Sequence, residues 1–494
     1  MSFSNNRLFL IFIIITAITA WFSIGFYQVD EHFQILEFAG YKAGWFSSRY
    51  LPWEFRSQMR SSIEPYIVVL LIKGLRLIHV DNPFFVALLM RCITTAMCIT
   101  CFLLWRNKIK ESAISAQLKW YDAALLLWFL PYVCVRSSSE IWGGCLVFIS
   151  LALLYGRKDP PVRNFFLAGC LASLAFFIRF QTAFLIAGFL FYRIFISRIR
   201  LRDFLSYSAG FILIAAVNIC LDSLFYHQWC LTPWNYFLEN IIYGRAASFG
   251  TEPFYYYFYQ SVIYAGPLAG ISIIAVVIVY LTKRIRDEIS IGILFFLVAH
   301  MITGHKEVRF LYPILFVLPY LFVFFMEWIQ QFPFTKSSFF RILIGLLVIS
   351  NLMMLAAVTI KPADSQVALQ QFLYRTIGND RTTVIYEGHN PFSRAYLPMN
   401  FYKNKNMTLL SLDNLSEDPL EATDEKILVV SNIEASSPLK DEKNFRLIYQ
   451  NVPAWLMKFD FNGWVSRTWV FRVYEMKVKR GERITPRSIR SQKE

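Results

Sequence analysis

The chain has 494 residues, of which 56% are hydrophobic, 18% aromatic and only 17% charged. Soluble domains carry about 25% charged residues and disordered chains need low hydrophobicity, so the composition argues against the first class and excludes the second. The net charge of +15 lies in short connections between long apolar runs, where it does not indicate a nucleic-acid partner. We therefore predict a polytopic α-helical membrane protein, with the lipid bilayer as its environment.

Eleven apolar runs are candidates for transmembrane helices, because a hydrocarbon core about 30 Å thick needs roughly 17–25 apolar residues and tilted helices or helices buried in a bundle tolerate fewer. The first run, residues 8–27, is uncharged and no clear cleavage site follows it, so we interpret it as an uncleaved anchor. The shorter segment 65–78 contains Lys73 and Arg76 and is interpreted as an interfacial or re-entrant helix. The other ten runs are residues 84–105, 118–135, 141–156, 164–179, 181–196, 204–222, 261–282, 289–303, 308–327 and 340–359.

The distribution of Lys and Arg between the loops predicts the orientation. With a cytoplasmic N-terminus, five basic connections fall on the cytoplasmic side: residues 106–119, 157–164, 197–203, 283–288 and 330–341. The opposite face then holds the long loops 28–64 and 223–260, in which acidic and aromatic residues are frequent. We expect the functional site on that periplasmic or lumenal face.

The sequence divides into two predicted domains, because its composition becomes more polar after residue 360. Residues 1–360 form the multi-span membrane domain, and residues 361–494 are predicted to form a small soluble α/β domain outside the membrane, ending in a basic tail from Lys477. Strand-like runs bounded by turn residues support the second domain: residues 382–386, 427–431, 445–449 and 469–474.

No cofactor or metal ion is predicted. Seven of the eight cysteines lie in apolar stretches, and the pair Cys98 and Cys101 is interpreted as buried apolar side chains rather than as a redox motif. The six histidines show no metal-ligand spacing, and the chain has neither a P-loop nor a dinucleotide-binding glycine pattern.

An acidic group follows the first apolar run directly. Asp30 and Glu31 are adjacent carboxylates at the edge of the membrane, where desolvation favours a raised pKa or a cationic partner. One interpretation is a general base in a partly dry cleft. The alternative is a solvated pair beside the membrane.

A cationic cluster, residues 305–309, separates two later apolar runs. Lys306 and Arg309 share one face of a helical turn with His305 close by, which gives several donors for a phosphate. Snorkelling to lipid headgroups is the alternative. Arg179, between two other runs, is a similar intramembrane cation that needs a partner. The aromatic residues of loop 223–260 fit an interfacial belt, and some could stack on sugar rings.

Four stretches of the chain form a further set of motifs. They are 29–34 (VDEHFQ) with Glu37; 53–56 (WEFR) with Arg60 and Ser61; 232–235 (TPWN) with 249–258 (FGTEPFYYYF); and 305–310 (HKEVRF). Together they resemble the glycosyltransferase family 22 mannosyltransferases, integral-membrane enzymes of the GT-C fold. Val29 and Val308 stand where the family has proline and glutamate. The family includes enzymes that extend the lipid-linked oligosaccharide and enzymes that add mannose to glycosylphosphatidylinositol precursors.

The resemblance implies a polyprenyl-phosphate (dolichyl-phosphate) mannose donor, a glycolipid or glycan acceptor and inverting transfer on the periplasmic or lumenal side. We predict Asp30 as the base that activates the acceptor hydroxyl, with Glu31 orienting the acceptor or substituting as the base. His305, Lys306, Arg309 and Arg179 are predicted to bind the donor phosphate. Predicted substrate-binding residues are Gln34, Glu37, Trp53, Glu54, Arg60, Glu140, Trp234, Asn235, Tyr257 and Glu307.

Three alternatives stay open at this stage. The donor sugar could be glucose or arabinose, because the shape of the donor pocket is not visible in a sequence. Intramembrane charges also mark transport routes, so a transporter of lipid-linked sugars is a rival, although the motif spacing gives no sign of inverted repeats. A non-catalytic scaffold is the third. We expect a monomer, in either a bacterial inner membrane or the endoplasmic reticulum.

Overall fold

The computed structural model describes residues 6–112, 114–416, 420–421, 426–432, 444–460, 463, 465, 468–478, 481 and 483–489, so the predicted basic tail lies partly outside the described residues. The chain forms two compact units, which we call the membrane unit and the sheet unit. The membrane unit comprises Met1–Ser23, Pro52–Ile78 and Val86–Lys361, and the sheet unit comprises Ile24–Leu51, His79–Phe85 and Pro362–Glu494.

Helices occupy most of the first 377 residues. The α-helices are α1 (Arg7–Phe22), α2 (Phe38–Lys42), α3 (Trp53–Arg56), α4 (Ile63–Leu77), α5 (Pro83–Lys110), α6 (Leu118–Ala124), α7 (Phe129–Val133), α8 (Ser139–Leu154), α9 (Val162–Ile178), α10 (Ala183–Phe191), α11 (Leu201–Tyr226), α12 (Thr232–Phe237), α13 (Arg245–Ser248), α14 (Tyr256–Ala265), α15 (Pro267–Lys283), α16 (Glu288–Ile302), α17 (Leu318–Ile329), α18 (Ser338–Ile360), α19 (Ser365–Ile377), α20 (Ala454–Met457) and α21 (Pro486–Ile489). Three segments are π-helical, Glu31–Glu37, Tyr192–Ile196 and Leu238–Ile242. Short 3₁₀ segments are Ser48–Tyr50, Ser115–Gln117, Phe180–Thr182, Val308–Phe316, Pro333–Lys336 and Asn414–Ser416.

Many of these helices are apolar, as a membrane protein requires. Among the described residues, three helical stretches are long and apolar enough to cross a bilayer by themselves: Pro83–Lys110, Leu201–Tyr226 and Ser338–Ile377. Val308–Phe316 and Leu318–Ile329, bent by 72°, could form a fourth. Six further apolar helices have 10–17 residues. The number of eleven spans therefore stays a prediction.

The predicted span 118–135 is broken into α6 and α7. Pro131 explains the break, because proline lacks an N–H group and its ring clashes with the carbonyl four residues earlier in a continuous helix. Asn351 of α18 satisfies backbone groups at the break: its Oδ1 accepts from the N–H of Trp128 at 2.8 Å, and its Nδ2 donates to the carbonyl of Leu126 at 2.9 Å. An unpaired backbone group among apolar helices costs several kcal/mol, so Asn351 stabilises the interruption.

Helix α8 lies in the interior of the membrane unit, since thirteen of its sixteen residues are buried. Its N-terminus is capped by Ser138, whose hydroxyl accepts from the N–H of Ile141 at 3.4 Å. The largest set of contacts along α8 is with α9, and it also packs along the 3₁₀ segment Val308–Phe316. The residues in its first turns are therefore placed beside two other chain segments.

The sheet unit is built on five strands in the order β4-β1-β6-β8-β7, with β1 parallel to β4 and β6 and the other pairs antiparallel. Helix α19 covers one face, where Leu369 and Leu373 pack with Val384 and Leu428. The next residue along β1, Ile385, belongs to the core on the other face, as the alternation of side chains along a strand requires. The strands are β1 (Thr382–Glu387), β2 (Ser393–Arg394), β3 (Leu397–Pro398), β4 (Met407–Ser411), β5 (Leu420–Glu421), β6 (Lys426–Ser431), β7 (Phe445–Gln450), β8 (Arg472–Met476) and β9 (Arg483–Ile484).

The loop after α1 belongs to the sheet unit, although it is distant from the sheet in sequence. The carbonyl of Ile24 accepts from the N–H groups of Ala363 and Asp364 at 2.8 and 3.1 Å. Gly25 has φ +94°, and a Cβ atom there would lie 2.7 Å from Cβ of Asp364, so this contact requires glycine. The predicted acidic motif is thus held by residues more than 300 positions later.

Candidate active site

Two loops of the membrane unit that are distant in sequence lie side by side, the loop before α14 and the loop after α16. The N–H of Glu252 donates to the carbonyl of Gly304 at 2.9 Å. His305 Nδ1 lies 3.0 Å from the carbonyl oxygen of Gly250. Each loop carries one of the stretches that resemble the family, so the fold brings two motif segments together.

Lys306 is buried between these loops and is 4% exposed. Its ammonium group donates to the carbonyl oxygens of Glu252 at 2.7 Å, Thr303 at 2.5 Å and Gly304 at 3.4 Å. Burial lowers the pKa of Lys306 from its usual value of 10.5. The three carbonyls match the three N–H donors of an ammonium group, so in this geometry Lys306 holds the two loops together.

Two arginines share the buried carboxylate of Glu140, in the first turn of α8. Arg179 Nη2 lies 3.1 Å and Arg309 Nε 3.6 Å from Oε1 of Glu140. Glu307 binds the second of them, with 2.8 Å between its Oε2 and Arg309 Nε. Both guanidinium groups lie over the ring of Phe310, at 5.2 and 5.7 Å from its centre. We call Arg179 and Arg309 the arginine pair; their planar, forked donors suit the oxygens of a phosphate.

Two glycines allow this arrangement. A Cβ atom on Gly143 would lie 2.8 Å from Cβ of Arg179, and one on Gly144 would lie 2.4 Å from Cα of Pro313. Since such distances are too short for carbon atoms, only glycine lets Arg179 and the segment that follows Arg309 approach α8 so closely. The position of the arginine pair therefore depends on these glycines.

Tyr257 provides an unpaired polar group close to the arginine pair. The residue is 5% exposed, and its hydroxyl oxygen has no hydrogen-bond partner among the described residues. Burial raises the pKa of Tyr257, the charge of Glu307 adds to the rise and that of Arg179 opposes it. A buried hydroxyl without a partner is costly, so this group is available to a ligand oxygen.

A second set of contacts joins the loop before α4 to α11 and α12. Oδ1 of Asp222 accepts from the N–H and the hydroxyl of Ser62 at 2.8 and 2.6 Å, and its Oδ2 accepts from the hydroxyl of Thr232 at 2.7 Å. Asn235 Nδ2 donates to the carbonyl of Gln58 at 3.2 Å. Asn235, predicted to bind substrate, therefore positions the loop that carries Arg60.

Arg60 extends the site toward the arginine pair. Its guanidinium lies 5.6 Å from the centre of the Tyr236 ring, and its carbonyl accepts from the hydroxyl of Tyr226 at 2.7 Å. The Tyr236 hydroxyl accepts from Nε2 of Gln181 at 2.7 Å, two residues after Arg179. A chain of contacts thus joins Arg60 to the segment that carries Arg179.

The remaining predicted residues of the membrane unit lie at its surface. The ring of Trp53 has the guanidinium of Arg245 at 4.7 Å, and that arginine forms an ion pair of 2.6 Å with Glu239. Trp234 is exposed, and Glu54 is half-buried. The exposed ring of Trp234 is free of the tight packing that fixes the arginine pair.

The acidic motif lies in the sheet unit, at the start of the π-helix Glu31–Glu37. Oε1 of Glu31 accepts from the N–H groups of Tyr27 and Gln28, both at 3.1 Å, and this side chain is buried. Asp30 is half-buried, and so more accessible than its neighbour. The π-helical turn is a rare conformation that occurs frequently at functional sites.

His32 and Glu37 form a fully buried pair on the same π-helix. His32 Nε2 lies 2.8 Å from Oε1 of Glu37, which also accepts from the N–H of Phe401 at 2.9 Å. The ring of Tyr402 stacks on His32 at 5.5 Å, and Gln34 is also buried. Glu37, predicted to bind substrate, thus fixes the π-helix to a later segment of the sheet unit.

The predicted site residues fall into two groups. Asp30, Glu31, Gln34 and Glu37 belong to the sheet unit. Within the membrane unit, ion pairs join Glu140, Arg179, His305, Glu307 and Arg309. Lys306 follows His305 in the same loop and bonds to the carbonyl of Glu252, and the charges of Glu307 and Arg179 act on Tyr257. No group of three or more metal-ligating side chains occurs among the described residues, and the absence of a metal stays a prediction.

Sequence reasoning missed several positioning residues. Asp222 was placed at the end of an apolar run without a role, although a carboxylate at that position signals a buried hydrogen-bond network. Gly143 and Gly144 lie one turn after Glu140, and a pair of glycines within a helix is a signal for close packing. Ser62 gives no signal of its own.

The profile of the Alg9-like mannosyltransferase family matches residues 7–387. Human GPI alpha-1,2-mannosyltransferase 3 is 26% identical over 300 residues, which are 60% of this chain and 52% of that protein. GPI mannosyltransferase 3 of Candida albicans is 28% identical over 322 residues, 64% of this chain and 63% of that protein. The chain therefore spans about half to two thirds of the length of these relatives.

The crystal structure of ArnT from Cupriavidus metallidurans bound to undecaprenyl phosphate superposes with a TM-score of 0.55 at 11% identity, over 96% of this chain and 98% of that one. At this identity the likeness shows the fold alone, that of a polytopic membrane protein. The family profile covers most of the chain and includes every stretch that carried the resemblance. The protein belongs to the Alg9-like mannosyltransferase family, and the family predicted from the motifs is confirmed.

Proposed function

We propose that this protein transfers mannose from a polyprenyl-phosphate (dolichyl-phosphate) mannose donor to a hydroxyl of a membrane glycolipid or glycan, on the periplasmic or lumenal face. The arginine pair carries the proposal, because two guanidinium groups whose side chains are 5% and 10% exposed, together with the buried tyrosine hydroxyl, suit a phosphate. Relatives named as GPI mannosyltransferases support the sugar and a glycolipid acceptor, and the undecaprenyl phosphate bound to ArnT supports a polyprenyl carrier.

The leaving group needs charge stabilisation rather than a general acid. As the bond between the anomeric carbon and the phosphate oxygen breaks, negative charge grows on the lipid phosphate, whose second pKa is about 6. Arg179 and Arg309 receive this charge, with His305 and the hydroxyl of Tyr257 as further donors. Hydrogen bonds to charged groups contribute about 1.5–3 kcal/mol each, so two of them account for roughly two to four orders of magnitude in rate.

Lys306 supports this site by holding its backbone. Its donors are used by three carbonyls, so it keeps the loops of Glu252 and His305 in place while adding its positive charge to the phosphate site. Glu140 and Glu307 orient the guanidinium groups.

Asp30 acts as the general base in this proposal. It takes the proton of the acceptor hydroxyl while that oxygen attacks the anomeric carbon on the side opposite the phosphate, which inverts the configuration. Glu31 holds the preceding turn through two N–H groups and leaves Asp30 as the accessible carboxylate. The lipid carrier anchors the donor, so the reaction needs no metal for a diphosphate.

Transfer of radiolabelled mannose from polyprenyl-phosphate mannose to candidate glycolipids by the purified protein tests the proposal. We expect Asp30→Asn to lower transfer by about 10²–10⁴-fold, the usual contribution of a general base, while the variant still unfolds in one cooperative thermal transition. Asp380→Asn, an exposed carboxylate in the same unit, is the matched control and should transfer normally. Full activity of Asp30→Asn would exclude Asp30 as the base, and transfer of only glucose or arabinose would overturn the donor sugar.

The mechanism also requires that Asp30 and the loop of Lys306 be reached from one side of the membrane. Asp30→Cys and Gly304→Cys, in a background without Cys92 and Cys220, should react with the same membrane-impermeant reagent from the same face. Arg157→Cys, in a predicted cytoplasmic loop, should react only from the other face. Reaction of positions 30 and 304 from opposite faces would overturn the mechanism.

A further inference from the structure

One polar segment has no role in the proposed reaction, residues 387–391 (EGHNP), which begin at the last residue of β1. Glu387 at the end of β1 pairs in register with Ser431 at the end of β6, because the two strands are parallel. Asn432 follows β6, so these residues meet at the carboxyl ends of two neighbouring parallel strands.

The order of the parallel strands places a topological switch point between β1 and β6. The chain passes from β1 to β4 on one side of β1 and then to β6 on the other side. The direction of the crossover therefore reverses between β1 and β6, at their carboxyl ends. In open α/β sheets, ligands bind outside the carboxyl ends of the strands at such a switch point.

The side chain of Asn432 holds the backbone of His389 at this switch point. The N–H of His389 donates to Oδ1 of Asn432 at 3.1 Å, and Nδ2 of Asn432 donates back to the carbonyl of His389 at 2.9 Å. The ring of His389 lies 4.6 Å from that of Trp469, and the guanidinium of Arg394 lies 4.8 Å from the same indole. Trp469 is 40% exposed, so this aromatic and cationic group is open to solvent.

The β2–β3 hairpin beside His389 is strained at its turn. Ala395 has φ +48° and Tyr396 φ +64°, a left-handed conformation that glycine or asparagine normally supplies in such turns. Tyr396 is nevertheless fully exposed. Gln366 holds the base of the hairpin, with its Nε2 donating to the carbonyl of Ser393 at 2.9 Å. A strained turn that presents an aromatic ring to solvent on a fixed base points to a function for that ring.

We propose that Trp469, Arg394 and His389, with Tyr396 two residues after Arg394 in the turn of the same hairpin, form a carbohydrate subsite that binds a hexose ring of a glycan. The apolar C–H face of a hexose packs on an exposed aromatic ring, and its hydroxyl groups accept from a guanidinium. A sugar hydroxyl can also donate to Nδ1 of His389, because Nε2 of that ring donates to the carbonyl of Ser393 at 2.9 Å. The assignment of the hexose to the glycan acceptor rests on the proposed function, whereas binding of the sugar itself does not.

Two glycine substitutions in the turn provide a matched test. Tyr396→Gly and Ala395→Gly each relieve one left-handed residue, so both should raise the unfolding temperature of the full-length protein in detergent. Only Tyr396→Gly removes the aromatic ring. In calorimetric titration with an α-linked mannose trisaccharide, we expect at least a fivefold weaker affinity for Tyr396→Gly, and unchanged affinity for Ala395→Gly.

Transfer assays show whether the sugar bound at the subsite belongs to the acceptor or to the donor. With a multi-sugar glycolipid acceptor, Tyr396→Gly should raise KM for the acceptor by at least fivefold, with KM for polyprenyl-phosphate mannose unchanged. Trisaccharide binding by a protein that transfers no mannose would refute the proposed function and keep the subsite. Normal transfer with no trisaccharide binding, or equal affinity in both glycine variants, would overturn the subsite. If spin-labelled lipid quenches the fluorescence of Trp469 and the trisaccharide does not bind, the subsite would be overturned in favour of a membrane contact.

Discussion

The membrane unit and the sheet unit each carry one charged motif, and the two motifs are held differently. In the membrane unit, Lys306 bonds to a carbonyl 54 residues earlier, and Arg309 to Glu140 on another helix. In the sheet unit, Glu31 bonds to N–H groups three and four residues before it, and Glu37 reaches a distant segment. The cationic motif thus depends on tertiary packing, whereas the acidic motif combines a local turn at Glu31 with distant contacts at Ile24 and Glu37.

The same comparison separates residues that hold the backbone from residues that can face a ligand. Lys306 and Glu31 both form hydrogen bonds with main-chain groups. Arg179 and Arg309 are oriented by other side chains, and Asp30 is the accessible carboxylate of its pair. A charged residue in a motif is therefore not by itself a catalytic residue, and the substitutions below test this division.

Among the substitutions that test this division, the largest effect is expected at the arginine pair. Arg179→Lys keeps the charge and loses the planar fork, so mannose transfer should fall by roughly two orders of magnitude, as expected for one lost hydrogen bond to a charged group and a displaced donor. The matched control is Arg193→Lys, which alters a similar buried ion pair with Glu288, with contacts of 2.6 and 2.5 Å. Both variants should lose similar stability in thermal unfolding, and only the first should lose transfer. Equal loss of transfer would mean that Arg179 has a structural role only.

The next effect tests the distant contact of the acidic motif. Glu37→Ala removes the acceptor of both His32 and the N–H of Phe401, which costs about 1–3 kcal/mol for each buried group left unpaired. Glu37→Gln keeps a carbonyl oxygen at this place and should restore most of the stability. Denaturant unfolding in detergent measures both. If Glu37→Gln retains the stability and loses transfer completely, the carboxylate itself takes part in the reaction.

A smaller effect is expected where two helical segments meet. Gly144→Ala places a carbon 2.4 Å from Cα of Pro313, so the segment that begins with Arg309 must shift, at a cost of about 1–3 kcal/mol. Gly345→Ala in α18 is the control, because a Cβ atom there has no neighbour within 4 Å. It should leave stability unchanged or raise it by about 0.5–1 kcal/mol. Similar unfolding temperatures for the two variants would contradict the close contact.

The sequence was sufficient to predict the membrane class, the family and most of the motif residues, because apolar runs and motifs are local properties. The four predicted strand-like runs overlap β1, β6, β7 and β8. The sequence does not predict the break in the span 118–135, although it shows Pro131. The reason is that the side chain that binds the backbone at the break belongs to Asn351, more than 200 residues later. The π-helix at Glu31–Glu37 has no sequence signal, since its pattern does not differ from that of a short α-helix.

Within the site, sequence reasoning found the charges but not their partners. Asp222 and Ser62 are 160 residues apart, and nothing in either segment indicates that they are bonded. The sequence predicts that Lys306 binds phosphate, because the motif shows its positive charge. The motif does not show the direction in which its N–H donors point. Three carbonyls from two loops decide that direction, and those contacts exist only in the folded chain.

The smallest expected effect concerns the ionisation of Lys306. Burial lowers its pKa in the folded chain, whereas the unfolded chain keeps the usual value of 10.5. Between these two pKa values the unfolded state binds more protons than the folded state, so the free energy of unfolding should rise with pH in that window. Near neutral pH both states are protonated, and no slope is expected from this residue.

The difference between the wild type and Lys306→Met isolates this contribution, because the other lysines are common to both chains. Denaturant unfolding at several pH values up to 10.5 should give a difference that is constant near pH 7 and moves in favour of the wild type as the pH approaches 10.5. A flat difference over the whole range would mean that the three carbonyls fully compensate the lost hydration of the ammonium group. Lys306 would then hold its loops as a permanent charge, and the phosphate site would keep that charge at every pH at which the protein is folded.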